Sequence, residues 1–348
     1  MISPQNQVLL LRRVRTSSSF PSAHVFPGGN LSAQHDGEIP APDHPGRHED
    51  SEPYRLAAIR ETFEESGILL AKNAGFGRLI EVEDSEREDG RRKVHAGEVE
   101  FQKWLASKGG RADLGKSFAF LDRNSALTST DGLIPFTRWV TPTNVPKRFT
   151  TQMYIYMLPL SSKSQDLPSA SSTTSDDADP EGEGSEVVIP TPTSDGGKEH
   201  TAARFLPPST WLRLARSGRI IMFPPQFFLL HLLSPFLSPH NPSKNTPLPS
   251  HDELQAQRKK LLAFLKTGDP SWGEMCISPT QLALPGGGKR ADGRVVLGLD
   301  KPGPELKGKR RGESEHVVLV EFKKEGPRRV DVGLKKNVLK ESREGAKL

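Results

Sequence analysis

The stretch Arg60-Glu61-Thr62-Phe63-Glu64-Glu65-Ser66-Gly67-Ile68 sets three carboxylates close together on a helix and then stops that helix with a glycine. At about 100° per residue, with Glu61 as zero, Glu64 falls near 300° and Glu65 near 40°, so all three point the same way. Leu56, Ile59 and Phe63 fall at roughly 160–220° and can pack on a core, which leaves the carboxylates anchored and exposed. Like charges this close repel one another. Sharing hard divalent cations offsets that cost, and such oxygen ligands suit Mg²⁺ or Mn²⁺. The alternative for such a helix on its own is a solvated acidic face.

The residues that must meet this helix lie upstream. Phe26-Pro27-Gly28-Gly29 ends a short apolar stretch, and Glu52 lies eight residues before Arg60. From Glu52 onward the chain resembles the Nudix hydrolase family, whose signature is G-x5-E-x7-R-E-U-x-E-E-x-G-U, U being a bulky aliphatic residue. Glu52, Arg60-Glu61, Glu64-Glu65, Gly67 and Ile68 match it, and Thr62 stands at the first U position. Between Gly29 and Glu52, twenty-two residues (30–51) replace the usual five. They read as a surface loop inserted into the motif, which costs little in closure entropy if its ends stay put.

A motif interrupted in this way, with Phe-Pro-Gly-Gly before the gap, resembles the peroxisomal coenzyme A diphosphatase branch of that family. Further pieces are similar to the same branch: Val8-Leu9-Leu10-Leu11-Arg12-Arg13, Ser19 to Phe26, Arg138-Trp139-Val140-Thr141-Pro142, Pro146-Lys147-Arg148-Phe149 and Gly218 to Gln226. The last residues, Ala346-Lys347-Leu348, resemble the Ser-Lys-Leu address read by the peroxisomal import receptor, so a peroxisomal location is expected, with the cytoplasm as the alternative.

The resemblance implies an α/β fold, a Nudix-type α/β/α sandwich with a mixed β-sheet elaborated by long loops and with the metal helix against one face. It implies Mg²⁺ or Mn²⁺ as cofactor, with Glu61, Glu64, Glu65 and the Gly29 carbonyl as ligands. Arg60 and Glu52 match the family positions that pair to orient the carboxylates. Nudix enzymes differ in which glutamate takes the proton from water, and Glu64 is the first candidate here. Arg12, Lys147 and Arg148 are candidate phosphate contacts. The activity implied is cleavage of the diphosphate of coenzyme A or acyl-coenzyme A to 3′,5′-ADP and 4′-phosphopantetheine or its acylated form. NADH, ADP-ribose or another nucleoside diphosphate derivative is the alternative substrate, and a Nudix-fold binding protein without turnover is a third reading.

With 348 residues, the chain can bury a sizeable core, but 31 glycines, 30 prolines and a hydrophobic content of 34% mean that much of it is loop. One elaborated domain is expected. Cys276 is the single cysteine, which excludes an intrachain disulfide and fits a packed or exposed thiol. There is no N-terminal signal h-region, and the apolar run Ile220 to Leu233 is too short and too rich in proline to span a bilayer, so a soluble protein is expected. The chain begins seven residues before Val8, a shorter lead-in than the family usually has, and a truncated N-terminus is one reading of that.

Residues 161–200, rich in Ser, Thr, Asp, Glu, Gly and Pro, read as a disordered insertion, and Ser238 to Ser250 as a second loop. Helices are expected at Glu98–Lys108, Ser209–Ser217 and Asp252–Lys266, and strands at Met153–Leu158, Val295–Leu299 and His316–Phe322. The segment 301–348 holds fourteen Lys and Arg against eight Asp and Glu and reads as a solvated basic tail, or one partly facing a polyanionic ligand. It does not interleave aromatic and basic residues as a nucleic-acid platform does. Pro285-Gly286-Gly287-Gly288-Lys289-Arg290 lacks the Ser or Thr of a phosphate loop and reads as a turn.

Overall fold

The run Val8-Leu9-Leu10-Leu11 has no polar alternate position, as expected of a strand covered on both faces. It forms β1 (Val8–Arg13). Val8 and Leu10 enter the main core with Phe136, Trp211 and Phe228. Leu9 and Leu11 join a second cluster with Ala203 and Phe205. The computed structural model describes residues 1–14, 21–73, 79–115, 132–160, 188–189, 200–237, 249–285, 290–303 and 310–345. The tripeptide at 346–348, the run 286–289, residues 238–248 and, apart from 188–189 and 200, the expected insertion 161–200 lie outside the described residues.

After β1 come β2 (His24–Val25), α1 (Ala33–Asp36), α2 (Glu52–Ser66), β3 (Ala71–Asn73), α3 (Asp84–His95), α4 (Phe101–Ser107) and β4 (Gly110–Ala112). The middle of the chain supplies β5 (Ile134–Val140), β6 (Thr150–Ile155), β7 (Val188–Ile189) and β8 (His200–Leu206), followed by α5 (Pro208–Arg216), α6 (Pro224–Leu233) and α7 (His251–Leu265). The remainder comprises β9 (Cys276–Ile277), β10 (Thr280–Gln281), β11 (Val295–Leu299), β12 (Glu313–Lys323), β13 (Gly326–Leu334) and α8 (Lys335–Gly345).

The architecture is mixed α/β, as expected. One sheet has the order β2-β1-β8-β7; a second, β6-β5-β9, is itself mixed, with β6 antiparallel and β9 parallel to β5. Ile2 bridges Met157, and Ala23 bridges Ile221, which ties the strands around β1 to distant parts of the chain. The apolar run at 220–233 contains α6, which is buried around most of its circumference as a core helix. Among the described residues, no helix is long and apolar enough to cross a membrane.

The basic C-terminal segment is not a solvated tail over its described part. β10, β11, β12 and β13 form an antiparallel sheet in which Val317, Val318, Val320 and Val330 are buried, and α8 packs on it through Val338. Val317 and Leu319 are buried on one face of β12 and Val318 and Val320 on the other, while charges gather at its ends, in the 324–325 turn and on α8, so charge count alone misread the segment.

Helix α3 is the element that periodicity misses. Its residues are almost all charged, with Gly90 and Val94 as its small inward positions; a Cβ at Gly90 would lie 2.3 Å from Trp104. Ion pairs at helical spacing, Arg87–Asp84, Arg91–Glu88, Arg92–Asp89 and Lys93–Asp89, are the signal that could have revealed it.

Candidate active site on helix α2

The inward residues of α2 behave as the helical wheel requires. Leu56, Ile59 and Phe63 are buried, and Phe63 stacks on Trp104 with ring centres 4.9 Å apart. Gly67 ends the helix at φ 73°, and its N–H donates to the Phe63 carbonyl; a residue with a Cβ is strained in that left-handed conformation. The opposite face is less open than expected. The side chains of Glu61 and Glu64 are only 13% and 9% exposed, because α1, the 28–35 segment and the end of α3 close over them.

They line a cleft of about 400 Å³ shared with Asn30, His35, Glu65 and His95. Arg60 organises it. Its Nε and Nη2 donate to Asp36 at 2.9 and 3.0 Å, Nη1 donates to Glu61 and Glu64 at 2.8 and 2.9 Å, and Nη2 also reaches the Asn30 carbonyl at 2.9 Å. All five N–H groups of the guanidinium are thereby used. Burial works against its charge, but the bonds it donates to Asp36 and the field of Glu61 outweigh this and raise its pKa.

Glu65 accepts a 2.8 Å bond from the Gly28 N–H, and His95 Nδ1 lies 3.1 Å from Glu64 Oε2. Arg91 of α3 donates to the Glu64 carbonyl at 2.9 Å and holds the end of α2 against α3. Burial alone would raise the Glu64 pKa, yet the hydrogen bonds from His95 and Arg60 bring it below the usual value. A depressed folded pKa stabilises fully above the ordinary value of 4.5 and ceases to do so as pH falls through the lower folded value. In urea titrations the stability advantage of the wild type over Glu64→Gln is therefore expected to persist at pH 5–7 and to shrink as pH falls below about 4.5.

Glu52 is not the residue that pairs with Arg60. It begins α2 as an exposed side chain, about 12 Å along the axis from Arg60 at a rise of 1.5 Å per residue. Asp36, 1% exposed, takes the role instead; its carboxylate also accepts from the Ser32 N–H at 2.7 Å. The extra residues thus fall mainly after the acid rather than before it.

Gly29 is brought to the site. A Cβ there would stand 2.4 Å from Glu61 Oε2, so the close approach of backbone to carboxylate needs glycine. Gly29→Ala is expected to displace Glu61 and lower turnover on the order of 10²-fold with little loss of thermal stability, read by steady-state kinetics beside a melting curve.

Arg12, Lys147 and Arg148 do not line this cleft. Arg12 pairs with His24 in the β1–β2 ladder, Lys147 lies over the Phe149 ring, and Arg148 donates to the Thr141 carbonyl at 3.1 and 3.0 Å. The Lys147 and Arg148 contacts shown lie within the 141–149 turn. Asp36, His35, His95 and Arg91 are the functional positions that sequence reasoning missed.

The donor set fits a hard divalent cation. Asp36, Glu61 and Glu64 face the buried guanidinium of Arg60 and Glu65 lines the same cleft, so carboxylates outnumber cations among these groups, and the glycine cradle keeps side-chain bulk out. Glu61 and Glu64 share the Arg60 Nη1, and Glu65 accepts from the Gly28 N–H. Among the described residues, the donor atoms that lie within 4.8 Å of one another belong instead to Glu313, Glu315 and His316. There the Glu313 carboxylate already accepts from the Glu315 and His316 N–H groups at 2.8 and 2.9 Å and contacts the His316 ring, so it braces the start of β12.

No family model matches the chain. A curated Caenorhabditis elegans protein with the provisional name nudix hydrolase 7 is 28% identical over 152 residues, 44% of this chain. The matched part spans 40% of that relative's length. The crystal structure of a NUDIX hydrolase from Alicyclobacillus acidocaldarius aligns over 70% of this chain and 90% of its own, at 21% identity and a TM-score of 0.45. The chain is thus similar over part of its length to a protein named as a Nudix hydrolase, and the residues that resemble the Nudix signature are gathered on α2.

Proposed function

We propose that this chain is a divalent-metal-dependent Nudix diphosphatase acting on coenzyme A or acyl-coenzyme A. The observation that carries the hydrolase reading is the excess of carboxylate over cation around Arg60 in a cleft large enough to admit a diphosphate. A bound Mg²⁺ or Mn²⁺ there would neutralise the diphosphate and acidify a water. The chain's own residues do the rest: Glu61, Glu64 and Glu65 would hold the ion, Arg60 and Asp36 fix the angle of Glu61 and Glu64, and His95 restrains the second oxygen of Glu64. Glu64 is the first candidate to accept the water proton.

The coenzyme A substrate is supported by the interrupted signature and the flanking segments that resemble that branch, and a peroxisomal location by Ala346-Lys347-Leu348. The test incubates the purified protein and Glu64→Gln with Mg²⁺ or Mn²⁺ and coenzyme A, acetyl-coenzyme A, NADH, ADP-ribose or diadenosine polyphosphates, with products identified by mass spectrometry. Release of 3′,5′-ADP by the wild type alone supports the proposal. Preferential cleavage of another compound keeps the chemistry and replaces the substrate, and no turnover by folded protein overturns both.

A further inference from the structure

The other end of α2 carries the opposite imbalance. Arg138 of β5 is 3% exposed, and its Nη1 is buried with no hydrogen-bond partner among the described residues. Its Nε donates to Gln152 at 3.1 Å, and its guanidinium lies 5.7 Å from the ring centre of Tyr54, in the first turn of α2. A buried cation with an idle donor is costly unless an anion meets it.

Among the described residues, the surrounding groups do not supply that anion. Asp50 is engaged by Arg55 at 2.5 Å and by the Tyr154 hydroxyl at 2.7 Å, and Glu49 is engaged by Arg310. Arg310, which also donates to the His48 carbonyl at 3.3 Å, adds a second positive charge near Arg138; together with burial it lowers the Arg138 pKa. Arg47 donates to the Pro40 carbonyl at 2.6 Å and also acts on Tyr54. Four guanidiniums therefore face two carboxylates, while Glu52 is exposed to solvent. The helix start is itself uncapped: the Ser51 side chain makes no cap bond, and its buried Oγ has no partner.

We propose that the N-terminus of α2, with Arg138, Arg310 and Ser51, is a binding site for a phosphoryl dianion. Pro53 has no N–H, but the Glu52 and Tyr54 N–H groups and the positive end of the helix attract an anion, the Ser51 hydroxyl adds a donor, and planar guanidiniums match the spacing of phosphate oxygens. The site lies about 15 Å along the helix from Glu61, so it is separate from the carboxylate cleft. Glu49 is the competitor: its side chain is 60% exposed, and the arriving phosphoryl group displaces it from Arg310. The site stands independently of the proposed hydrolase activity. Its occupant is either free orthophosphate or a phosphomonoester on a larger molecule.

The test is thermal melting and calorimetric titration of the full chain in chelator, with orthophosphate at constant ionic strength set by KCl. A saturable rise in melting temperature is expected in the wild type and in Glu64→Gln. Arg310→Gln is expected to weaken phosphate binding at least tenfold, Arg138→Met to abolish it and Glu49→Gln to tighten it. If Arg138→Met fails to fold, Arg310→Gln and Glu49→Gln decide between them. Binding that is absent in the wild type, unchanged in Arg310→Gln, or lost in Glu64→Gln overturns the site. A parallel titration with adenosine 3′-monophosphate against adenosine separates the two sources: tighter binding of the monophosphate than of orthophosphate assigns the phosphoryl group of a larger ligand, and the reverse assigns the free ion.

Discussion

Asp36→Ala is expected to destabilise the protein by about 3 kcal/mol and to remove most of its turnover, whereas Glu52→Gln should leave both nearly unchanged. Asp36 accepts two charge-assisted bonds from Arg60 in a site where the two side chains are 0% and 5% exposed. Removing one partner of such a pair leaves the other's charge poorly solvated. Arg60 retains Glu61 and Glu64, which keeps the cost below that of a fully orphaned buried charge. Those same carboxylates would then be drawn toward Arg60 and away from a cation. Urea denaturation and initial rates on the two variants check both halves. Equal losses in Asp36→Ala and Glu52→Gln would show that the acid at the helix start matters after all.

Glu64→Gln should lower turnover by on the order of 10³-fold while the protein remains folded at pH 7. Three functions meet on this side chain: a bond from Arg60, a contact with His95 and a share of the proposed metal site. The amide keeps the size of the carboxylate and still accepts a hydrogen bond, so the fold has small reason to fail. The charge it removes cannot be replaced. Manganese binding followed by electron paramagnetic resonance gives a readout apart from activity; the affinity is expected to fall at least tenfold. An unchanged manganese affinity would exclude Glu64 from the ligand set.

The elements that position the site were legible because the chain states them twice, in composition and in period. The three carboxylates, the apolar stripe of Leu56, Ile59 and Phe63, and the stop at Gly67 define α2 within its observed bounds. The Gly28-Gly29 turn was equally readable, since its proximity to Glu65 and Glu61 follows from the signature spacing. Asp36 was not, because the pairing of an acid with Arg60 depends on how residues 30–37 fold back, and no helical or strand period records a path through a loop. His95 was hidden by α3, whose stability comes from ion pairs and from Gly90 against Trp104 rather than from an apolar stripe. The β12–β13 hairpin shows the same limit from the other side: a strand was legible over His316–Phe322, but the net charge of the segment obscured its return strand.

The segment that interrupts the signature is fastened separately at its two ends. On one side Asp36 is clasped by Arg60; on the other, Asp50 is held by Arg55 and Glu49 by Arg310, while residues 41–44 between them are exposed. Covalent continuity across 41–44 is therefore not what assembles the cleft. A protease that cut there would leave two fragments, one carrying β1 at the centre of its sheet and the other carrying α2, joined by their shared sheet and by Arg60. The same place is where the gene could be opened to give new chain ends, with the acid and the arginine of the signature then lying at opposite extremes of the polypeptide and still meeting in the folded protein.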